Sequence, residues 1–128
     1  MQTSKILVNH IPDDVAWKAL ENLVDKFKFN EKEGMILMGG LPRASYYKGI
    51  KQHLGHLNRD TKERISLLLG IYKALRILFV DGYQAVTWIN RENQLPPFNG
   101  MTPKAFMLEG SLMRLADVRR FLDFWRGY

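Results

Sequence analysis

Apolar residues recur along most of the chain at helical spacing, and the strict alternation of apolar and polar residues typical of strands is nearly absent. A first helix is predicted over residues 13–27, where apolar side chains follow one face. Asn58 is placed to cap a later helix, residues 59–79, which is the most apolar segment. One apolar stripe on it consists of Ile65, Leu68, Leu69, Tyr72, Leu75 and Phe79, and a second beside it consists of Leu67, Ile71, Ala74 and Leu78. This helix is expected to pack on two sides as a central strut. Only residues 5–11 are compatible with a short extended piece. We therefore predict an all-α fold.

Two short helices separated by a glycine-containing turn are predicted between these segments. Asn30 and Glu33 have the spacing of a capping box, which favours a helix running through Met38. The sequence Gly39-Gly40-Leu41-Pro42 then predicts a turn with Leu41 facing inward, because glycine adopts left-handed backbone and proline suits the first turn of a following helix. That helix is predicted over residues 42–54. The order helix, tight turn, helix is typical of a helix-turn-helix.

Further helices are predicted in the remainder of the chain. A short helix at residues 83–91 is followed by a loop at residues 93–100. Thr102-Pro103 marks another helix start, and the last helix begins after Gly110-Ser111. The predicted apolar face of this last helix consists of Leu112, Leu115, Val118, Leu122 and Trp125.

The length of 128 residues suits one domain or two small lobes that share a core. We expect an N-terminal helix-turn-helix bundle, residues 1–58, joined through the long central helix to a small helical domain, residues 59–128. The composition, 46% hydrophobic and 25% charged, is that of an ordinary globular protein, and the absence of cysteine excludes disulfides and thiolate metal sites. No apolar run approaches the ~18 residues of a membrane span, and the first residues lack the features of a signal peptide. We therefore expect a cytoplasmic protein.

Catalytic and metal-binding chemistry finds little support in the sequence. His53 and His56 are three residues apart, but no third ligand is evident. The Gly39-Gly40 pair lacks the lysine and the glycine spacing of a phosphate loop, and no serine has a histidine placed by sequence to activate it. We expect a protein that is not an enzyme and that needs no metal or cofactor. The alternative is an enzyme with an unrecognised helical active site.

The charge distribution favours a polyanionic partner. The chain carries a net charge of +6, and residues 40–59 contain four basic residues and no acidic one. In a helix-turn-helix, the first residues of the second helix meet the base edges of the major groove. The predicted DNA-contact residues are accordingly Arg43, Ser45, Tyr46, Lys48 and Lys51. Tyr47 is expected to pack inward, and the alternative is an ordinary helical hairpin with a solvated basic face.

Three short motifs follow one another in a specific order in the second half of the chain. They are residues 64–70 (RISLLLG), 96–103 (PPFNGMTP) and 118–123 (VRRFLD). This combination resembles the toxin-binding domain of the Xre/MbcA/ParS antitoxin family over roughly residues 59–128. The N-terminal helix-turn-helix resembles the Xre-like part that precedes this domain in the same family, so the resemblance covers nearly the whole chain.

The resemblance implies a type II antitoxin that neutralises a RES-domain toxin, a fold related to ADP-ribosyltransferases that consumes NAD⁺ or modifies targets with it. In such antitoxins the C-terminal domain binds the toxin, its last segment blocks the NAD⁺ pocket, and the protein dimerises and represses its own operon. The residues that the resemblance assigns to toxin contact are Arg119, Asp123, Arg126, Gly127 and Tyr128.

The expected partners are therefore the RES-domain toxin, operator DNA and a second copy of the chain in a homodimer, with no membrane. An apolar stripe of the central helix left uncovered in the monomer would drive the dimerisation. The alternative function is that of a stand-alone helix-turn-helix transcription regulator with a dimerisation domain.

Overall fold

The computed structural model describes residues 10–127 and is all-helical within that range, as predicted. Its helices are α1 (Asp13–Phe27), α2 (Glu31–Leu37), α3 (Arg43–Gln52), α4 (Arg59–Leu78), α5 (Gly82–Thr87), α6 (Pro103–Met107) and α7 (Leu112–Arg126). A 3-10 turn, Trp88–Asn90, follows α5. Most of the extended piece considered for residues 5–11 lies outside the described residues, as does Tyr128.

Polar side chains begin several helices where the sequence predicted them. At α2, the Asn30 side chain accepts a hydrogen bond from the Glu33 amide at 2.8 Å. The Glu33 carboxylate in turn accepts one from the Asn30 amide at 2.9 Å, which completes the predicted capping box. Asn58 caps α4 and Thr102 caps α6, each by accepting a backbone amide three residues further on. Because these caps satisfy amides that a helix start leaves unpaired, the boundaries are fixed locally.

Helix α4 is the centre of the fold. It packs most extensively against α7 and also contacts α1 and α5, which confirms the two-sided packing predicted for it. Its buried apolar side chains are Ile65, Leu68, Ile71, Ala74 and Leu75. The second predicted stripe is covered within the protein, since Ile71 and Ala74 are buried and Leu67 and Leu78 are half-buried. This stripe therefore leaves no broad apolar face to drive association with a second copy.

Polar contacts tie the two halves of the chain together. Arg64 of α4 is 8% exposed and donates through Nη1 to the backbone carbonyls of Leu37, at 3.1 Å, and Gly110, at 2.7 Å. Leu37 ends α2 and Gly110 precedes α7, so one guanidinium holds both elements. Lys104 of α6 likewise reaches Glu33 of α2 at 2.9 Å. The hydrophobic core is continuous across both halves, and the division into two domains stays a prediction.

A close approach between α1 and α3 explains the glycine in the middle of α3. A Cβ at Gly49 would lie 2.3 Å from three atoms of the Trp17 ring, so glycine is needed for the indole to pack on the α3 backbone. Trp17 is 1% exposed, and its Nε1 donates to the Gly55 carbonyl at 2.8 Å. Gly49 lowers the helix propensity of α3, but it also sets the position of that helix on the bundle.

Aromatic side chains anchor the loop that leads to α6. Phe98 is buried, with its ring centroid 5.0 Å from that of Phe121 in α7 and 5.8 Å from that of Trp88. The buried apolar residues of α7 are Leu115, Val118 and Leu122. Trp125, predicted on the same face, is 54% exposed, so the prediction is wrong for this residue. The ring centroids of Trp125 and Phe121 are 6.2 Å apart, so the indole extends the aromatic cluster of Trp88, Phe98 and Phe121 toward solvent.

Candidate functional site

Helices α2 and α3 form the predicted helix-turn-helix. Residues 38–42 connect them and include Gly39 and Gly40, whose φ angles of 88° and 86° lie in the left-handed region that favours glycine. The amides of both glycines donate to carbonyls of α2 at 2.9 Å. Leu41 is partly buried against the core, as predicted. These contacts fix the direction in which α3 leaves α2.

Helix α3 presents small polar and basic side chains to solvent. Four predicted DNA-contact residues are exposed on it: Arg43, Ser45, Lys48 and Lys51. Pro42 precedes the helix and provides no side-chain cap, so the first amides of α3 have no side-chain acceptor among the described residues. Basic side chains beside an uncapped helix start are suited to an anionic ligand.

The prediction for the two adjacent tyrosines of α3 is wrong. Tyr46, expected to contact DNA, is 3% exposed, whereas Tyr47, expected inside, is 54% exposed. The Tyr46 phenol packs on Gly34 of α2, where a Cβ would lie 1.9 Å from the phenolic oxygen. That hydroxyl is buried and has no hydrogen-bond partner among residues 10–127. Burial, together with the nearby Glu31 carboxylate, raises the pKa of Tyr46 to about 12. Tyr46 therefore fixes α3 on α2, and the Tyr47 ring takes the outer position.

Arg43, the first residue of α3, is paired within the protein. Its Nε donates to Oε1 of Glu31, the first residue of α2, at 2.7 Å. The hydrogen bond to Glu31 and its negative charge raise the pKa of Arg43 above its ordinary value. The Arg43 side chain is nonetheless 78% exposed. Sequence reasoning missed Glu31, because a contact between the starts of two helices depends on how the turn orients them.

The two histidines after α3 contact carboxylates of α1. His53 Nε2 lies 2.9 Å from Glu21 Oε1, and His56 Nδ1 lies 3.3 Å from Asp13 Oδ2. Asp13 also accepts from Lys62, and this bond, opposed by partial burial and aided by a backbone amide and His56, lowers the pKa of Asp13. Within residues 10–127 no three acidic or histidine side chains are grouped as metal ligands. These histidines therefore fasten the end of α3 to α1.

The residues assigned to toxin contact on α7 are engaged with one another and with α4. Arg119 crosses α4 at Gly70, where a Cβ would lie 1.7 Å from Nη1 of the arginine. Its Nε lies 3.0 Å from the Asp123 carboxylate, which Arg126 also reaches at 3.6 Å. The side chains of Arg119 and Asp123 are 32% and 23% exposed, and that of Arg126 is 14% exposed. These ion pairs lie within α7, and Arg119 alone of the three is shown against α4; toxin contact by its members stays a prediction.

The chain leaves α7 through Gly127. Its φ angle of 96° is left-handed, and its amide donates to the Phe124 carbonyl at 3.1 Å, which ends the helix. Tyr128, the last residue assigned to toxin contact, follows directly but lies outside the described residues.

The outer face of the end of α7 is aromatic, a feature that sequence reasoning missed. Phe124 is 71% exposed, and its ring meets that of Trp125 edge to face at 5.6 Å. Two open grooves of about 300 and 550 Å³ border this face, and both are lined by Leu95, Phe121 and Trp125. The spacing of residues 121, 124 and 125 is that of one helix face, so the signal was present in the sequence. Exposed aromatic residues of this kind are enriched where proteins bind proteins.

Helices α2 and α3, joined by the glycine turn, place this protein in the class of helix-turn-helix proteins. Residues 7–70, half of the chain, match the family model of the antitoxin Xre-like helix-turn-helix domain. The chain belongs to this family, which is regulatory and binds DNA.

A curated relative extends the likeness beyond the helix-turn-helix. Over 110 residues the chain is 36% identical to "Uncharacterized protein y4oB" of Sinorhizobium fredii (strain NBRC 101917 / NGR234). The matched region covers 86% of this chain and 83% of that protein.

Within residues 10–127, no helix has the length and apolar character needed to cross a bilayer.

Proposed function

We propose that this protein is the antitoxin of a type II toxin–antitoxin system, which neutralises a RES-type, NAD⁺-consuming toxin and represses its own operon. The observation that carries the proposal is the match of residues 7–70 to the Xre-like antitoxin domain. Two outward helices of opposite character support it, because α3 is cationic and the end of α7 is aromatic. The first suits a nucleic acid, and the second suits a protein surface.

The DNA-binding part of the proposal rests on α3. Its exposed cations, Arg43, Lys48 and Lys51, provide contacts to phosphates and base edges. Ser45 lies between them with a short side chain that lets the helix approach the floor of the major groove. Gly49 and Tyr46 hold the opposite face of α3 on the bundle, so the helix meets DNA as a fixed element.

The DNA-binding proposal is tested with a duplex taken from the region upstream of the gene that encodes this protein. We expect the affinity, measured by fluorescence anisotropy, to fall steeply with salt concentration. Lys51→Ala should weaken binding and reduce the slope of log affinity against log salt by about 1. Lys73→Ala, which removes an exposed lysine of α4, is the matched control and should bind like the wild type. Equal losses for both variants would contradict an interface on α3.

The toxin-binding part of the proposal rests on the end of α7. Helix α7 packs extensively on α4, so its end is an ordered support that loses little further conformational entropy when it meets a partner. A NAD⁺ pocket binds a pyrophosphate and two ring systems, and a segment with arginine and aromatic side chains offers matching groups. Phe124 and Trp125, exposed beside this segment, are the residue types that anchor protein interfaces.

The toxin-binding proposal is tested by co-expression with a RES-type toxin encoded next to this gene. We expect the wild type to restore growth and a chain lacking residues 126–128 to fail. The double variant Phe124→Ala/Trp125→Ala should bind the toxin at least tenfold more weakly, because buried aromatic anchors carry most of an interface's energy. Met113→Ala, an exposed apolar residue at the other end of α7, is the control. A chain that binds DNA but leaves the toxin active would instead be a stand-alone transcription regulator.

We further propose that the protein acts as a homodimer, since paired helix-turn-helix units contact half-sites about one turn of DNA apart. The stripe on α4 does not supply the dimer surface, because it is covered within the chain. Exposed apolar side chains remain at the corner between α4 and α5: Ile77, Val80 and Tyr83. The solution mass at micromolar concentration, with and without DNA, decides the matter. A monomer under both conditions would contradict it.

A further inference from the structure

Glu31 and Arg43 meet at the edge of the helix-turn-helix where DNA is expected. The bond between them uses Nε of Arg43. Within residues 10–127, the two terminal nitrogens of this guanidinium have no hydrogen-bond partner, and the side chain is 78% exposed. Arg43 is therefore held through Nε, and its two terminal nitrogens are available to a ligand.

A guanidinium presented in this way is suited to guanine. The major-groove edge of guanine offers two acceptors, O6 and N7, and the bidentate contact of arginine with them is the commonest base-specific contact. An arginine without a partner adopts many side-chain conformations and also reaches phosphates, which carry no sequence information. A carboxylate bound to Nε restricts the guanidinium to fewer orientations.

The first turn of α2 favours a carboxylate at Glu31, but that interaction does not require the bond to Arg43. The start of α2 is already capped by Asn30 and Glu33, which satisfy each other's amides. Exposed ion pairs contribute little to folding stability. A carboxylate at a DNA interface also repels phosphates, so it lowers the affinity for DNA in general. Its presence is expected where selectivity between sequences outweighs this loss.

We propose that Glu31 is a positioning residue that directs Arg43 to a guanine in the major groove and thereby determines sequence specificity. The inference rests on the proposed DNA binding by α3. It assigns the role to Glu31 itself, which contacts no base. Removing this carboxylate should reduce discrimination between base pairs while leaving or raising the affinity for unrelated duplexes.

The test compares Glu31→Gln with the wild type on selected duplexes. Selection from a random duplex library with the full chain defines the preferred site, and Arg43→Ala identifies the base pair at which discrimination is lost. Affinities are then measured for duplexes with guanine or adenine at that pair. We expect the wild type to favour guanine by about five- to 100-fold. Glu31→Gln should lose at least fivefold of this preference and bind an unrelated duplex as tightly as the wild type or more tightly.

Three controls separate positioning from a structural effect. Glu31→Asp keeps the carboxylate and should retain part of the guanine preference. The double variant Glu31→Gln/Arg43→Ala should discriminate no worse than Arg43→Ala, because the two residues act as one unit. Glu92→Gln, which neutralises an exposed carboxylate far along the chain, should leave selectivity unchanged. All variants should unfold at the wild-type temperature within about 2 °C.

The outcomes distinguish this inference from the proposed function. A wild type that binds no duplex refutes both the DNA-binding function and the role of Glu31. A wild type that prefers guanine through Arg43, and a Glu31→Gln variant whose preference stays within twofold, refutes the role of Glu31 alone. A Glu31→Gln variant that loses affinity equally for all duplexes is likewise contrary to it.

Discussion

Helices α3 and α7 distribute the same residue types in opposite ways. In α3 the aromatic Tyr46 is buried, and the cations face solvent: Arg43, Lys48 and Lys51. In α7 two arginines of the turns nearest the C-terminus lie largely against the protein, and the aromatic side chains face solvent: Phe124 and Trp125. Both helices approach a neighbour at a glycine, Gly49 receiving Trp17 and Gly70 receiving Arg119.

This difference indicates how one small chain keeps two partners apart. The outer side of α3 carries three exposed cations beside one exposed aromatic ring, Tyr47, so it attracts polyanions. The outer side of α7 offers aromatic area, and the arginines of its C-terminal turns pair with Asp117 and Asp123 within the helix. Burial alone does not distinguish the two helices, since each has one face in the core. The two helices differ instead in the type of residue that each exposes to solvent.

The largest effect is expected at Arg64, which joins α2, the helix that leads into α3, to the start of α7. Arg64→Ala removes the donor to the Leu37 and Gly110 carbonyls and leaves both without that partner in a buried region. We expect the free energy of unfolding to fall by about 3 kcal/mol. Urea unfolding measures it, with Arg59→Ala, an exposed arginine of the same helix, as the control within about 0.5 kcal/mol. A loss below about 1 kcal/mol would show that α2 and the start of α7 are held independently of Arg64.

An intermediate effect is expected at the two glycine contacts, and it sharpens the comparison directly. Gly49→Ala forces a methyl group into the rigid, buried Trp17 ring and should destabilise the fold by about 2 kcal/mol, despite the higher helix propensity of alanine. Gly70→Ala meets the flexible end of Arg119 and should change stability by less than about 1 kcal/mol. Thermal and urea unfolding of both variants test the order. The reverse order would contradict the packing described for α3.

The smallest effect is expected for the phenolic hydroxyl of Tyr46. Because this group is buried and finds no hydrogen-bond partner in the part of the chain that the structure describes, Tyr46→Phe should keep or raise the unfolding free energy, by at most about 1 kcal/mol. DNA affinity should not change, since the ring position is retained. Tyr47→Phe, at the exposed neighbour, serves as the control. A clear loss of stability in Tyr46→Phe would show that the hydroxyl is hydrogen-bonded after all.

Features encoded within a few residues were predictable from the sequence. The capping box of α2, the caps of α4 and α6 and the glycine turn depend on local spacing, and all occur where expected. The two-sided packing of α4 also followed from its apolar circumference. These elements define the all-helical bundle and the position of the cationic helix.

Features that depend on distant partners were not predictable in this way. Tyr46 and Tyr47 differ by one position, and which of them turns inward is decided by the bare backbone at Gly34. The inward placement of Arg119 likewise depends on Gly70 and on Asp123. Hydrophobic periodicity predicts that polar residues face solvent. It therefore gives the wrong position for a cation that packs on a neighbouring glycine.

The three tryptophans give each region of the molecule its own fluorophore. Trp17 is enclosed beneath α3, Trp88 is half-buried in the aromatic cluster, and Trp125 is 54% exposed at the end of α7. Iodide should therefore quench emission chiefly from Trp125, and a partner covering α7 should shift that emission to the blue without altering the signal from Trp17. Occupancy of the α7 surface is thus measurable by intrinsic fluorescence in an unlabelled sample.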